Sequence, residues 1–249
     1  MNPSSPAFRL FSVIIPAFNE EQVIGTTLSQ VEDYLNSKKI PHEIIVINNG
    51  SADRTRQVVL DWSKLGHPVK MLENVQNRGK GYAVRQGVLV SRGDWILFMD
   101  ADGSTSIREM EKCWPLMNEP LDILVGSRRV HGAVFAKRQP WLREIFGIVF
   151  TRLANILVCS SIRDFTCGFK CFRREAALEL FKKQTVEDWT FDIEIILMGK
   201  KMGYRISQFP VTWTDSPKTN LRMFKDTWVC LFGLLNIWIN LLRGRYRKL

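Results

Sequence analysis

Trp95-Ile96-Leu97-Phe98-Met99-Asp100-Ala101-Asp102-Gly103 is the stretch on which the fold turns. Five apolar residues run without a polar break into two carboxylates one residue apart, the pattern of a strand buried on both faces that ends at a polar rim. Strand alternation turns Asp100 and Asp102 to the same side, so at the strand's exit the pair can grip one hard divalent cation, Mg2+ or Mn2+. A bound diphosphate would complete the cation's shell. The same residues also suit the start of a following helix, because Asp and Ser favour caps and turns. Taken alone, the pair leaves both readings open.

Working outward, the chain alternates strand and helix. Apolar strands are expected over Phe11–Ile15, Glu43–Asn48, Val69–Leu72, Trp95–Met99 and Asp122–Ser127. Helical spacing runs from Glu20 to about Lys38 through Val23, Ile24, Leu28, Val31 and Leu35, and again over Arg54 to about Leu65. Asn77-Arg78-Gly79-Lys80-Gly81 opens a helix to about Ser91, and Ile107 to about Met117 reads as another. This alternation predicts an α/β fold with a mostly parallel sheet covered by helices. Ligands of such sheets bind beyond the carboxyl ends of the strands, where Pro16–Glu20, Asn48–Ser51 and Asp100–Ser104 should share one rim. Pro16-Ala17-Phe18-Asn19-Glu20-Glu21 carries no glycine, which argues against a nicotinamide or flavin site after the first strand.

Composition narrows the partners. With 249 residues, 45% of them hydrophobic, the chain is long enough for one large core with a C-terminal appendage. A formal charge of +10 calls for an anionic partner: nucleic acid, a phosphorylated substrate or a membrane face. No aromatic and basic interleaving, helix-turn-helix or zinc-finger pattern supports nucleic acid. Much of the basic excess gathers late, in Arg128-Arg129, Lys137-Arg138, Lys218, Arg222 and Arg243-Gly244-Arg245-Tyr246-Arg247-Lys248, which favours phosphates beside a membrane. Met1–Leu10 lacks the apolar run of a signal peptide, so a cytosolic setting is expected. Five cysteines and three histidines are scattered without zinc-site spacing and read as structural.

Phe11–Glu21, then Ile47-Asn48-Asn49-Gly50-Ser51-Ala52-Asp53-Arg54-Thr55, then Gly79-Lys80-Gly81, then Met99–Gly103 together resemble family-2 glycosyltransferases of the GT-A fold. The resemblance covers Phe11 to about Lys218. Gly126-Ser127-Arg128, Asp164-Phe165-Thr166-Cys167-Gly168-Phe169-Lys170 and Trp189-Thr190-Phe191-Asp192-Ile193-Glu194 are similar to the polyprenyl-phosphate sugar transferases, dolichyl-phosphate glucosyltransferases in particular. It implies a GT-A catalytic domain over 1–218, with a nucleotide-binding half (1–127) and an acceptor-binding half (128–218), and a membrane-interface tail over 219–249. The activity implied is metal-dependent, inverting transfer of a hexose, glucose by preference, from a UDP-sugar to a polyprenyl phosphate at the cytosolic membrane face. Use of GDP-mannose, or of a soluble or polysaccharide acceptor, is the alternative.

By the same resemblance Pro16, Phe18, Glu20, Ile47 and Asn49 line the nucleotide, and Asp100, Ala101 and Asp102 hold metal and diphosphate. Arg128 and Lys218 oppose phosphates. The family usually has two aspartates where this chain has Asn48-Asn49. An amide offers both an acceptor and a donor, which suits the edge of uracil better than that of guanine. The pair also reads simply as shaping the turn before Gly50.

The chemistry follows from charge. Cleaving a sugar–phosphate bond builds negative charge on the departing diphosphate, so cationic groups around Asp100 and Asp102, Arg128 and Lys218 among them, stabilise the transition state selectively. A phosphate acceptor is already ionised, and Lys137, Arg138, Arg143 and Lys170 are candidates to hold it. Asp164 and Asp192 either orient sugar hydroxyls, or one serves as a base toward a hydroxyl acceptor. Capping and ion pairing is the other reading of each.

Arg129–Gln139 has no clear period and is expected to be a loop over the donor, disordered without ligand. Trp141–Val158 reads as an amphipathic or buried helix. Trp228–Leu242 is apolar apart from Gly233, Asn236 and Asn240, and the basic cluster follows it. Its fifteen residues fall short of the roughly 20 that a span needs, which points to an interfacial helix. Packing on the domain or on a second copy is the other reading, and a membrane-anchoring subunit is a further expected partner.

Overall fold

The computed structural model describes residues 9–137, 151–152, 154–155, 162–214 and 223–246. Its seven-stranded sheet has the order β3-β2-β1-β4-β7-β5-β8. The strands are β1 (Phe11–Ala17), β2 (His42–Asn49), β3 (Val69–Asn74), β4 (Trp95–Met99), β5 (Ile123–Ser127), β7 (Phe169–Arg173) and β8 (Ile206–Pro210). Neighbours from β3 to β4 are parallel, as are β5 and β8, whereas β7 runs antiparallel between β4 and β5. The strand ends Ala17, Asn49, Met99 and Ser127 and the start of β7 therefore meet on one rim.

The apolar runs of the strands follow from burial on both faces. Phe11, Val13 and Ile15 pack with Leu28, Val31 and Leu35 of helix α1 (Ile24–Ser37) on one side. Ile14, Ile45, Ile47 and Phe98 face the other core, under α3 (Lys80–Val90), α5 (Arg174–Lys183) and α6 (Phe191–Lys201). Helix α2 (Thr55–Lys64) lies against α1 and β3. Helix α1 starts later than the spacing predicts because the Glu20 carbonyl takes the Val23 and Ile24 N–H groups in a turn at 3.0 and 2.9 Å. The expected helix over Ile107–Met117 is broken into a 3-10 turn, the four-residue α4 (Met110–Cys113) and a second 3-10 turn from Pro115. Proline has no N–H to continue the ladder.

Two expectations need correcting. Within Arg129–Gln139, expected as a loop, Val134–Lys137 forms strand β6, paired in parallel with β9 (Thr212–Thr214). The tail helix α7 spans Met223–Leu242, 20 residues, where the apolar run predicted fifteen. No helix among the described residues is long and apolar enough to cross a membrane. The inner face of α7 belongs to the core: Leu234, Ile237 and, beyond its end, Tyr246 are buried. Gly233 sits so close to Thr190 that a Cβ would fall on its side chain. The Tyr246 hydroxyl donates to Glu194 Oε1 at 2.9 Å, and Asn240 Nδ2 to Thr185 Oγ1 at 3.0 Å. Leu231, Phe232, Leu235, Trp238 and Leu242 are exposed on the helix. The expected helix over Trp141–Val158 lies largely outside the described residues.

Candidate active site

The rim is built by two loops that clasp each other. Asn19, at φ 57°, donates its N–H to Ser51 Oγ at 3.0 Å and accepts Ala52 N–H on Oδ1 at 2.8 Å. Asparagine tolerates that left-handed backbone better than most residues. Glu20 N–H donates to Thr55 Oγ1 at 2.8 Å, Glu21 N–H to Asp53 Oδ2 at 3.1 Å, and Arg54 N–H to Glu21 Oε2 at 3.0 Å. Glu20 is thereby fixed near the end of β4. Its carboxyl is pushed up to about 7 by burial and by the negative charges of Asp102, Asp100 and Asp53.

Asp100 directly follows β4, and Asp102 lies in the turn after it, so strand alternation does not extend to the pair. Asp100 N–H donates to the Gly168 carbonyl at 3.1 Å, and any Cβ at Gly168 would fall on the Asp100 carboxylate. Glycine at 168 is what lets the loop before β7 close on β4. Lys80 Nζ donates to Asp100 Oδ1 at 2.5 Å from a nearly buried side chain. Burial favours the neutral amine, but Asp100, Asp192 and Asp102 hold Lys80 above its ordinary value. Asp102 accepts Ser104 N–H and Oγ–H at 2.9 and 2.8 Å, and burial followed by the Asp100 charge raises its carboxyl.

Glu20, Asp100 and Asp102 thus bring three oxygen-donor side chains of like charge to a rim with one close ammonium, and the carboxyls of Glu20 and Asp102 are raised there. Asp100 and Asp102 are hard oxygen donors of the type that suits a divalent cation. Among the described residues no group of three or more His, Cys, Asp or Glu side chains is placed to hold a metal ion. Asp100 and Asp102 could supply part of a cation's shell, with substrate oxygens completing it.

The other half of the rim is charge-matched. Arg128, just past β5, grips Asp164 through Nε–Oδ2 at 2.7 Å and Nη2–Oδ1 at 2.8 Å, and its backbone N–H adds a third bond at 3.0 Å. Nη2 also reaches Thr166 Oγ1 at 2.8 Å, while Nη1 takes no acceptor among the described residues. Burial alone would raise the Asp164 carboxyl, but Arg128 holds it well below the usual carboxylate range. Deeper, Lys170 Nζ stands 2.7 Å from Asp192 Oδ1 and donates to the Cys167 carbonyl at 2.6 Å. The approach to Oδ1 brings charge without an aligned hydrogen bond, so that oxygen is buried with no donor directed at it.

The structure brings Glu20, Asp100, Asp102, Arg128, Asp164 and Asp192 to this rim, with Pro16 and Phe18 half-buried beside it. It assigns other candidates differently. Ile47 is fully buried, with Gly87 so close that a Cβ would lie 2.6 Å from Ile47 Cδ1, so its side chain belongs to the core and lines no ligand. Asn49 is committed: Nδ2 donates to Asn77 Oδ1 at 3.0 Å and the Gly79 carbonyl at 3.1 Å, and Oδ1 accepts from Asn74 Nδ2 at 2.9 Å. Asn48 Oδ1 accepts Ser51 N–H at 3.2 Å, the turn-shaping reading. Ala101 is buried and offers its carbonyl to Thr27 Oγ1 at 2.7 Å.

Lys170 is fully buried on its pair with Asp192 and presents no cation to a bulky acceptor. Asp164 accepts three hydrogen bonds from Arg128, the ion-pairing reading of this residue. Lys137 lies on β6, and Arg138, Arg143 and Lys218 fall outside the described residues. Lys80 was the residue missed as a site candidate. Its signal is a lysine between two glycines at a helix start: Gly79, at φ 105°, caps α3 where a Cβ would strike the Glu187 carbonyl, and a Cβ on Gly81 would lie 2.6 Å from Phe191 Cβ. The glycines let the start of α6 descend onto the start of α3, which carries Asp192 toward Lys80.

Comparison with known proteins identifies the family and the fold. The chain is 35% identical over 248 residues to a dolichyl-phosphate beta-glucosyltransferase of Dictyostelium discoideum, covering 91% of this chain and 76% of that one. It is 35% identical over 257 residues to one of Drosophila melanogaster, covering 98% and 78%. Glucosyl-3-phosphoglycerate synthase from Mycobacterium tuberculosis, crystallised with Mn2+, UDP and glucosyl-3-phosphoglycerate, shares the fold at TM-score 0.67 and 17% identity, over 92% of this chain and 80% of that one. Residues 12–181 match the family described as Glycosyl transferase family 2. On the fold, the rim and these matches together, the chain is a glycosyltransferase and belongs to Glycosyl transferase family 2.

Proposed function

We propose that this protein transfers glucose from UDP-glucose to a dolichyl or other polyprenyl phosphate, with inversion at the anomeric carbon, on the cytosolic face of a membrane. The observation that carries the reading is the carboxylate rim of Glu20, Asp100 and Asp102 opposite Arg128, in a chain about a third identical to dolichyl-phosphate beta-glucosyltransferases over most of its length. Asp100 and Asp102 would hold Mg2+ or Mn2+, which when bound supplies charge neutralisation at the donor diphosphate.

The chain's own groups supply the rest. Lys80 and the guanidinium of Arg128 offer cationic hydrogen bonds to phosphate oxygens, strongest as charge develops on the leaving group. Asp164 fixes the guanidinium plane so that little reorganisation accompanies the reaction. The acceptor phosphate is anionic at neutral pH and requires alignment rather than deprotonation, which accords with Asp164 being paired with Arg128.

The exposed face of α7, with Phe232, Leu235 and Trp238 and with Arg243 and Arg245 after it, supports contact with an anionic bilayer. Incubation with labelled UDP-glucose or GDP-mannose, with polyprenyl phosphate or a soluble phosphorylated acceptor, and with Mg2+, Mn2+ or chelator is the direct test. Transfer from UDP-glucose to the lipid, abolished by chelator, is expected. Transfer from GDP-mannose alone, or to the soluble acceptor alone, would replace this reading.

A further inference from the structure

We propose that Trp213 is a positioning residue for sugar transfer: its ring holds the Arg128 guanidinium, and its strand ties Arg128 to the turn that carries Asp102. This rests on the reading of Arg128 as a phosphate-facing cation, given above. Trp213 lies in β9 and is only 7% exposed, yet among the described residues it belongs to neither hydrophobic core. Phe209 and Val211, earlier on the same segment, do join the core that α1 covers. The indole instead meets two groups at the rim. Phe135 on β6 packs edge-on against it with centroids 6.1 Å apart, and the Arg128 guanidinium carbon lies over it, 5.4 Å from the ring centroid. Asp164 and Thr166 hold that guanidinium through hydrogen bonds, which lie in its plane and oppose rocking out of the plane only weakly. An aromatic face attracts the cation without using up an N–H, so it restrains the group and leaves donors for a phosphate.

The backbone around Trp213 reaches the other half of the rim. Thr214 N–H donates to the Ser104 carbonyl at 2.9 Å, and Trp213 forms an antiparallel bridge with Thr105. Ser104 is the residue whose own N–H and hydroxyl bind the Asp102 carboxylate. Thr212 N–H donates to Glu109 Oε2 at 3.0 Å, and Val211 N–H donates at 3.1 Å to the carbonyl of Ser127, the residue before Arg128. The segment Val211–Thr214 therefore fastens the turn after β4 to the turn after β5, and Trp213 is the side chain it lays on Arg128. A charged group misplaced by about 1 Å can cost about 100-fold in rate, so a segment that sets two of them at once matters to the chemistry.

The test uses the full chain with UDP-glucose, polyprenyl phosphate and a divalent cation. Trp213→Leu, which keeps an apolar side chain and removes the aromatic face, should lower kcat about 10- to 100-fold and change KM for UDP-glucose by less than about threefold. Trp213→Phe should recover kcat to within about threefold of wild type. In an Arg128→Lys background, where the planar guanidinium is already gone, Trp213→Leu should cost less than about threefold more. A tryptophan that serves only the fold would cost the same factor in both backgrounds; that result, or wild-type kcat in Trp213→Leu, would overturn the role. If Trp213→Leu does not fold, or Arg128→Lys has no measurable turnover, tryptophan analogues with increasing ring fluorination, placed at position 213 alone, take over. The rate should fall as fluorination weakens the ring's attraction for a cation, and a flat response would overturn the role. Should the wild type transfer only from GDP-mannose, the UDP-glucose reading fails, and the same variants measured with that donor decide Trp213 by the same criteria.

Discussion

The two halves of the rim treat carboxylates in opposite ways. Around β4, Glu20, Asp100 and Asp102 crowd together with Lys80 as the close cation, and the carboxyls of Glu20 and Asp102 are raised by burial and mutual repulsion. Around β7, each buried carboxylate has its own cation, Asp164 with Arg128 and Asp192 with Lys170. The first arrangement stores unbalanced negative charge that an incoming cation relieves, and the second spends its charge on holding side chains still. One half is prepared to receive charge and the other to define geometry.

That contrast can be broken experimentally. The largest effect is expected from Asp102→Ala, which should cut transfer by about 100-fold or more while the melting temperature is kept; full activity would remove the receptive role of the first half. Asp164→Asn should act mainly through stability, costing about 3 kcal/mol in denaturant unfolding, because Arg128 is left buried without its counter-charge. The same pair sets an acid limit. The native Asp164 carboxyl lies below its ordinary value of 3.8, so its contribution is complete above that pH and is lost as the pH falls toward the native value. The wild-type melting temperature should therefore drop below about pH 4, and Asp164→Asn should show a shallower drop.

Smaller effects sharpen the comparison at its edges. Asn49→Asp removes two donated hydrogen bonds and turns a carboxylate toward the Gly79 carbonyl, so unfolding should become easier by about 1–2 kcal/mol. Improved stability there would show that the amide is not committed to the turn. Leu235→Glu on the outer face of α7 should change stability by no more than about 0.5 kcal/mol and yet lower co-sedimentation with anionic vesicles. Undiminished co-sedimentation would remove this face from membrane contact.

Much of this was legible in the residues, for definite reasons. Apolar strands with Pro16, Asn49 and Asp100 at their ends announce a rim, since burial on both faces leaves polar residues only at strand exits. The acidic pair was legible as the polar exit of an apolar strand, although Asp102 sits in the turn beyond it and not in the strand's two-residue period. What was not legible depends on contacts distant in sequence. Nothing near Asp164 says that Arg128, 36 positions earlier, will pair with it. Nothing near Lys170 says that it is buried on Asp192. Ile47 looked like a rim residue, but the approach of Gly87 from α3 turns it inward. Lys80 was overlooked because a lone lysine in a glycine turn gives no sign of its partner until β4 is placed beside α3. The strand over Val134–Lys137 has no alternating pattern of its own and exists through pairing with Thr212–Thr214.

The bond from Tyr246 to Glu194 gives the end of the chain an unexpected standing. Because Leu234, Ile237 and Tyr246 are interior residues, the terminal helix is a cooperative part of the globule and not an appendix hung on a hinge. Its inner amides should exchange hydrogen with solvent as slowly as those of β1, and cutting the chain before it would unseat α6 along with whatever α6 carries. Truncation and re-surfacing of this helix are consequently different interventions: one dismantles a wall, the other repaints its outside.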